Sequence, residues 1–170
     1  MTIRLRPITP EASGFAVLEA ESLRHGFKML ERLARDWNSG KHRFDQPGEM
    51  LAGAFADGRL VGIGGRSIDP YENDPRIGRV RHVYVTEDLR GSGIGRLLVE
   101  NITRDTACHF TRLNLRAQSA VFGFYERLGF ERIEGRQTVT HHLTLKKKAT
   151  VSGRLQSPAL FPRKASRDEG

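Results

Sequence analysis

The stretch Arg81-His-Val-Tyr-Val-Thr-Glu-Asp-Leu-Arg-Gly-Ser-Gly-Ile-Gly-Arg-Leu-Leu98 decides how this chain is read. A strand, Arg79 to Val85, runs into a glycine-rich loop that opens an amphipathic helix. Ile94, Leu98 and Ile102 form one stripe of that helix, with Leu97 beside them. Glycines at 91, 93 and 95 allow several backbone N–H groups to turn toward one point. The start of the helix adds unsatisfied N–H groups and the positive end of its dipole. With Arg90 and Arg96 flanking it, the loop has the chemistry of a pyrophosphate site. It is not a Walker A loop, because no Lys-Ser/Thr pair follows the last glycine. Nor is it the Rossmann fingerprint, whose third glycine falls three residues after the second; here that position is Arg96.

Outward from the loop, the chain alternates two periodicities. Thr2 to Pro7 has the in–out alternation of a half-buried strand. Thr9-Pro10-Glu11 reads as a helix start. The run from Glu11 to about Trp37 then carries apolar residues at helical spacing, divided into two helices at Gly26. Glu49 to Ala56 and Leu60 to Ile68 are strands joined at Asp57-Gly58, a pair that tolerates the positive φ of a tight turn. The loop helix is expected from Gly93 to about His109. Arg112 to Ala117 is a short strand, and Ser119 to Leu128 is a helix ended by Gly129. Phe130 to Ile133 and Gln137 to Lys146 are the last strands. The order β-α-α-β-β-β-α-β-α-β-β predicts a single α/β (α+β) domain over residues 1–148, with a mixed sheet and helices on both faces. Residues 149–170 read as a basic, flexible tail.

These segments together resemble the GNAT superfamily of acyl-CoA-dependent N-acyltransferases. Arg90, Gly93 and Gly95 match its Gln/Arg-x-x-Gly-x-Gly/Ala signature, and Val83-Tyr-Val85 matches the strand before it. About thirty residues on, Val121-Phe-Gly-Phe-Tyr-Glu-Arg-Leu-Gly-Phe130 is similar to the family's second landmark, a helix ending in Phe-Tyr-Glu-x-x-Gly-Phe. The resemblance runs from Thr2 to about Lys146. It implies a mostly antiparallel sheet whose fourth and fifth strands splay apart. It implies that Val83, Tyr84 and Val85 lie along the pantetheine arm of acetyl-CoA. The pyrophosphate would be held by backbone N–H groups of Gly91, Ser92, Gly93, Ile94, Gly95 and Arg96, with the Ser92 hydroxyl added and Arg90 flanking the loop. Tyr125 matches the general acid, which protonates the departing thiolate. Gln118 stands where the family often has a cofactor-contacting Asn. The implied activity is direct acetyl transfer from acetyl-CoA to a primary amine of a small metabolite, without a metal. A protein N-terminus or lysine is the second acceptor class, and an acyl-CoA-binding module without turnover is the alternative outside catalysis. The resemblance admits a homodimer.

The general base is left open among His82, Glu49, Glu72, Asp74, Glu87, His141 and a chain of water. An alkylammonium with a pKa of roughly 10 must lose a proton before it attacks. His82 lies on the decisive strand, and alternation places it on the face opposite Val83 and Val85. His141 and His142 are adjacent strand residues facing opposite ways, so they do not converge on one ion. Cys108 is expected to pack within the loop helix.

Composition bounds these readings. The 170 residues carry 28 Lys+Arg against 20 Asp+Glu, a formal charge of +8. Lys146 to Gly170 holds seven cationic and two anionic side chains, a net +5, so the basic character is concentrated at that end. The Lys146–Lys148 run is short and lacks interleaved aromatics, which argues against nucleic-acid recognition. A mildly basic body suits a polyanionic small ligand. No run approaches the ~20 apolar residues of a membrane span. One cysteine forms no internal disulfide, and Met1 to Pro7 lacks the apolar core of an export signal. The expected location is cytoplasmic.

Overall fold

The computed structural model describes residues 1–147. Seven strands form one sheet: β1 (Ile3–Pro7), β2 (Met50–Ala56), β3 (Arg59–Ile68), β4 (Ile77–Val85), β5 (Arg112–Leu115), β6 (Glu131–Arg132) and β7 (His141–Thr144). Their spatial order is β1-β2-β3-β4-β5-β7-β6. All neighbours are antiparallel except β4 and β5. This is the expected mixed α/β sheet.

Helices α1 (Phe15–Arg24) and α2 (Met29–Asn38) cover one face. Phe15, Leu18, Leu30 and Leu33 pack there on Leu51, Leu60, Ile63 and Tyr84. Helix α3 (Ile94–Thr103) covers the other, burying Ile94, Leu98 and Ile102. Each such side chain contributes roughly 1.5–3 kcal/mol by leaving water. Leu97, beside the stripe, stays exposed. Helix α4 (Phe122–Arg127) packs Tyr125 with Val80, Val99, Leu113, Leu115 and Phe130 on the same side as α3.

Several boundaries differ from the sequence expectation, each for a local reason. Thr9 to Ala12 is a turn, closed by Ala12 N–H on the Thr9 carbonyl (3.0 Å) and Glu11 N–H on the Thr9 hydroxyl (3.2 Å). The first helix therefore begins only at Phe15. Helix α3 stops at Thr103, not near His109, because Arg104 is extended and Asp105 is left-handed (φ 53). Cys108 thus falls in a 3-10 turn and is exposed, not packed. The segment expected as one helix from Ser119 opens with a 3-10 turn, Ser119–Val121. Its C-terminal end is as read: Gly129 (φ 93) gives its N–H to the Glu126 carbonyl, and Phe130 N–H reaches the Tyr125 carbonyl. That is a Schellman closure. The last two strands are shorter than expected. The tail from residue 149 lies outside the described residues.

Two irregularities in β4 shape the surface beside it. Its parallel pairing with β5 covers only Ile77–Arg79 against Arg112–Asn114, after which the strands part. Opposite Ile63–Gly65, β4 carries an extra residue between Tyr84 and Arg81, with His82 at φ 58. This is a β-bulge, which bends a strand and re-aims its side chains.

Candidate active site

Beyond Arg79, the far edge of β4 meets no strand. Thr86 gives its N–H to the Val61 carbonyl of β3 (2.9 Å), so alternation turns the N–H and C=O groups of Val83 and Val85 the other way, toward β5. Their side chains lie on the α3 face. Tyr84 points to the α1/α2 face, where its hydroxyl donates to Glu21 Oε1 at 2.7 Å.

The loop between β4 and α3 presents its backbone. Gly91 and Gly93 have φ of 77 and 89, a region costly for any residue with a Cβ. Among the described residues, the N–H groups of Gly91, Gly93, Ile94, Gly95 and Arg96 meet no acceptor. The N–H of Ser92 is used, donating to the Leu89 carbonyl at 3.3 Å, and its hydroxyl donates to the same carbonyl. Arg90 does not reach into the loop. Its Nε donates to the Val85 carbonyl (3.1 Å), and its Nη2 lies 3.3 Å from the Tyr84 hydroxyl. Arg96 pairs with Glu100 one turn on (2.7 Å). The free donors of this loop are therefore amides, while its arginines brace the surroundings.

Sequence reasoning missed Glu21, on α1, sixty-six residues before the loop amide it anchors. Its Oε1 accepts from both Tyr84 and the Glu87 N–H (2.9 Å). Burial pushes this carboxyl up, but the two hydrogen bonds and the nearby His25 and Arg90 outweigh it and hold its pKa below the ordinary value. No pattern in the sequence marks it, since the contact depends on how α1 crosses β4.

Tyr125 is buried on α4. Its ring lies 4.9 Å from that of Phe124 and 5.8 Å from that of Phe130. Burial lifts its phenol to about 12, so it remains a proton donor at any physiological pH. Phe124 reaches the loop helix: a Cβ at Gly95 would meet its ring at 3.5 Å and Val85 at 3.7 Å. Helix α4, the loop and the open edge of β4 thus converge. Gln118 is exposed at the turn leading into α4.

The base candidates separate by environment. His82 is buried against Phe44, and its Nδ1 has no partner. Burial and the neighbouring Arg81 push its pKa down to about 3, so it stays neutral and holds a proton weakly. Glu49 is enclosed, bonded to His42 Nε2 (3.1 Å) and to the N–H groups of Ile68 and Gln46. Burial raises it, but these bonds and the His42 charge lower it further. Glu72 is shared by Arg136, Arg112 and Asn114. Asp74 pairs with Arg76, and Glu87 with His25. His141 is enclosed between Thr140 and Glu126. No group of three or more metal-ligating side chains occurs among the described residues.

The model of the family described as "Acetyltransferase (GNAT) domain" matches residues 25–147. The chain belongs to the GNAT acetyltransferase family. A mycothiol acetyltransferase of Rhodococcus opacus is 35% identical over 111 residues, 62% of this chain and 34% of that protein. One from Kocuria rhizophila is 32% identical over 110 residues, 61% of this chain and 34% of that protein. The chain spans about a third of the length of these curated GNAT relatives. A solved putative acetyltransferase from Exiguobacterium sp. 255-15 superposes with a TM-score of 0.75 at 29% identity, over 85% of this chain and 94% of that one. An acetyltransferase from Thermus thermophilus shares the fold at a TM-score of 0.64 and 21% identity, over 85% of this chain and 98% of that one. No helix among the described residues is long and apolar enough to cross a membrane.

Proposed function

We propose that this GNAT protein is an acetyl-CoA-dependent N-acetyltransferase that acts on a primary amine of a small metabolite. The observation that carries the reading is the convergence of three parts. They are the edge of β4 at Val83–Val85 that no strand covers, the free amides of Gly91, Gly93, Ile94, Gly95 and Arg96, and helix α4, whose Phe124 reaches the loop and which carries the buried Tyr125. The names of the Rhodococcus and Kocuria relatives support acetyl transfer.

Acetyl-CoA, when bound, supplies the acetyl thioester. The loop amides suit its pyrophosphate: five N–H donors at one turn, next to a helix N-terminus, favour a polyanion. The N–H and C=O of Val83 and the N–H of Val85 suit the amides of the pantetheine arm as a strand would; the Val85 carbonyl already accepts from Arg90 Nε. The residues thus fit the group.

The chemistry that remains is proton traffic. The neutral amine attacks the thioester carbon and the C–S bond breaks. Tyr125 gives its proton to the departing sulfur and recovers one as the attacking nitrogen loses its own. A phenol at about 12 is still a stronger acid than the water around it, and is not ionised beforehand. Of the bases entertained, His82 is the poorest, since its environment denies it a proton. We assign proton removal from the ammonium to water at the face of β4, with His82 a neutral neighbour.

Calorimetric titration with acetyl-CoA, in wild type and in Gly93→Glu, tests the reading. Binding by wild type and not by the folded variant, followed by CoA release with an amine panel, supports it. Absence of binding to folded wild type overturns it.

A further inference from the structure

On the α1/α2 face, β4 presents two arginines where it leaves β5. Arg79 is the last residue paired, opposite Asn114, and Arg81 is the next residue on that face. Arg79 is buried. It lies 3.5 Å from Asp69, bonds the Thr138 carbonyl, and sits under the Tyr71 ring at 4.8 Å. Asp69 is therefore spent on Arg79 and on Asn114 (2.9 Å). Arg79 Nη1 nevertheless has no hydrogen-bond acceptor.

Arg81 is less satisfied. It is half-buried, and its side-chain hydrogen bond is to His42 Nδ1 at 3.4 Å. Among the described residues it makes no ion pair, and neither do Arg32 and Arg116. The charged groups that act on Arg81 and Arg79 include the cations Arg32 and Arg116 and the carboxylates Asp36, Asp69 and Glu72. Asp36 pairs with Arg35 (3.6 Å), and Glu72 is held by Arg136 and Arg112. None of these carboxylates pairs with Arg81, and Glu49 reaches it only through His42, whose Nε2 it bonds at 3.1 Å. A partly desolvated guanidinium without a counter-charge is costly, and an anion brought by a ligand removes the cost.

We propose that Arg81, supported by Arg79, binds an anionic group carried by the acceptor amine, so that the preferred acceptors are amines with a carboxylate or phosphate a few bonds from the nitrogen. This rests on the acetyl-transfer reading above and names its substrate class. Val83 is two residues from Arg81, at most about 7 Å along the strand and less across the bulge at His82. An amine meeting a thioester at Val83 is thus within reach of Arg81 through a short chain. The same charges bear on the proton. Cations around the site disfavour an ammonium and favour the neutral amine, the form that attacks. They also disfavour polycationic acceptors and lysine-rich segments.

CoA release is followed with the common L-amino acids against their amides, and with phosphoethanolamine against ethanolamine, in wild type and Arg81→Gln. Acetyl-CoA affinity is measured in both proteins. The expected result is a preference of about ten-fold or more in kcat/KM for the anionic member of a pair. That preference collapses in Arg81→Gln, mainly through KM, with acetyl-CoA affinity unchanged. A preference confined to the amino acids assigns the anion as carboxylate, and one confined to phosphoethanolamine assigns it as phosphate. Equal or faster turnover of the neutral members overturns the proposal. So does a preference that survives in Arg81→Gln, or acetylation of no anionic amine at all. The acetyl-CoA titration stands apart and scores the broader reading separately.

Discussion

Replacing Gly93 by alanine isolates the backbone of the loop. Gly93 sits at φ 89, and a Cβ there meets nothing within 4 Å. The whole effect is conformational, about 1–2 kcal/mol for an L-residue in this region. Gly58, in the β2–β3 turn, has φ 86 and equally open space; its backbone supplies none of the loop amides, and it touches that region only through its neighbour Arg59, which pairs with Asp88 at 2.8 Å. Gly58→Ala is therefore a matched control. If each loop keeps its shape, both variants lose the same ~1–2 kcal/mol, a fall in Tm of roughly 2–8 °C for a domain of this size. If the Gly93 loop relaxes, one or two amides turn away from the anion position. Each hydrogen bond to a charged group is worth about 1.5–3 kcal/mol, which is about 10- to 150-fold in Kd. Thermal melts and calorimetric titration with CoA measure both quantities. The expected pattern is comparable melting losses, with CoA affinity weakened at least about ten-fold only in Gly93→Ala. Wild-type affinity in Gly93→Ala, or an equal loss in Gly58→Ala, refutes the assignment of the loop amides.

Further outcomes follow from the site. Tyr125→Phe should lower kcat by about 10²-fold and leave acetyl-CoA affinity within about two-fold; wild type should show no alkaline loss from this phenol until pH nears 12. His82 is neutral in the folded protein down to about pH 3 but takes a proton near 6.5 when unfolded. The unfolded chain then binds the extra proton, so stability should fall by up to about 1.4 kcal/mol per pH unit as pH drops from 6.5 toward 3. In denaturant melts across that window, His82→Leu should show a shallower slope, and an unchanged slope would contradict the burial argument. Glu21→Gln should cost about 1 kcal/mol at pH 7 by weakening the bonds to Tyr84 and Glu87. Because the Glu21 carboxyl is held below its ordinary pKa, that difference should vanish in melts as pH falls through its folded value.

Much of this was legible in the chain itself. Strand alternation, the Asp57-Gly58 turn, Gly26 between two helices and Gly129 after a third are local signals, and the structure carries all of them. The loop glycines announced the open backbone of the loop, because positive φ is a property a sequence can display. The failures were of two kinds. Helix ends such as Thr103 and Phe15 depended on single residues, Asp105 and Gly14, adopting left-handed backbone in a tertiary setting. Roles decided by contacts across the fold were hidden. Arg90 and Ser92 look like ligands in a motif, yet they are spent on Val85, Tyr84 and Leu89. Glu21 and the unpaired Arg81 emerge only once α1, α2 and β4 are side by side.

The unpaired edge at Val83–Val85 has a further consequence, for solubility. An exposed sheet edge is a template for another chain and invites aggregation. Here the open groups lie inside the sheet, flanked by β5 and by α4, and not at its rim. A second pleated strand with side chains on both faces would have to push between elements already packed together. The protein thus keeps hydrogen-bonding groups exposed at its centre while its outermost strands remain the ordinary β1 and the two-residue β6. A sheet that parts in the middle keeps open backbone groups without the hazard of a sticky border.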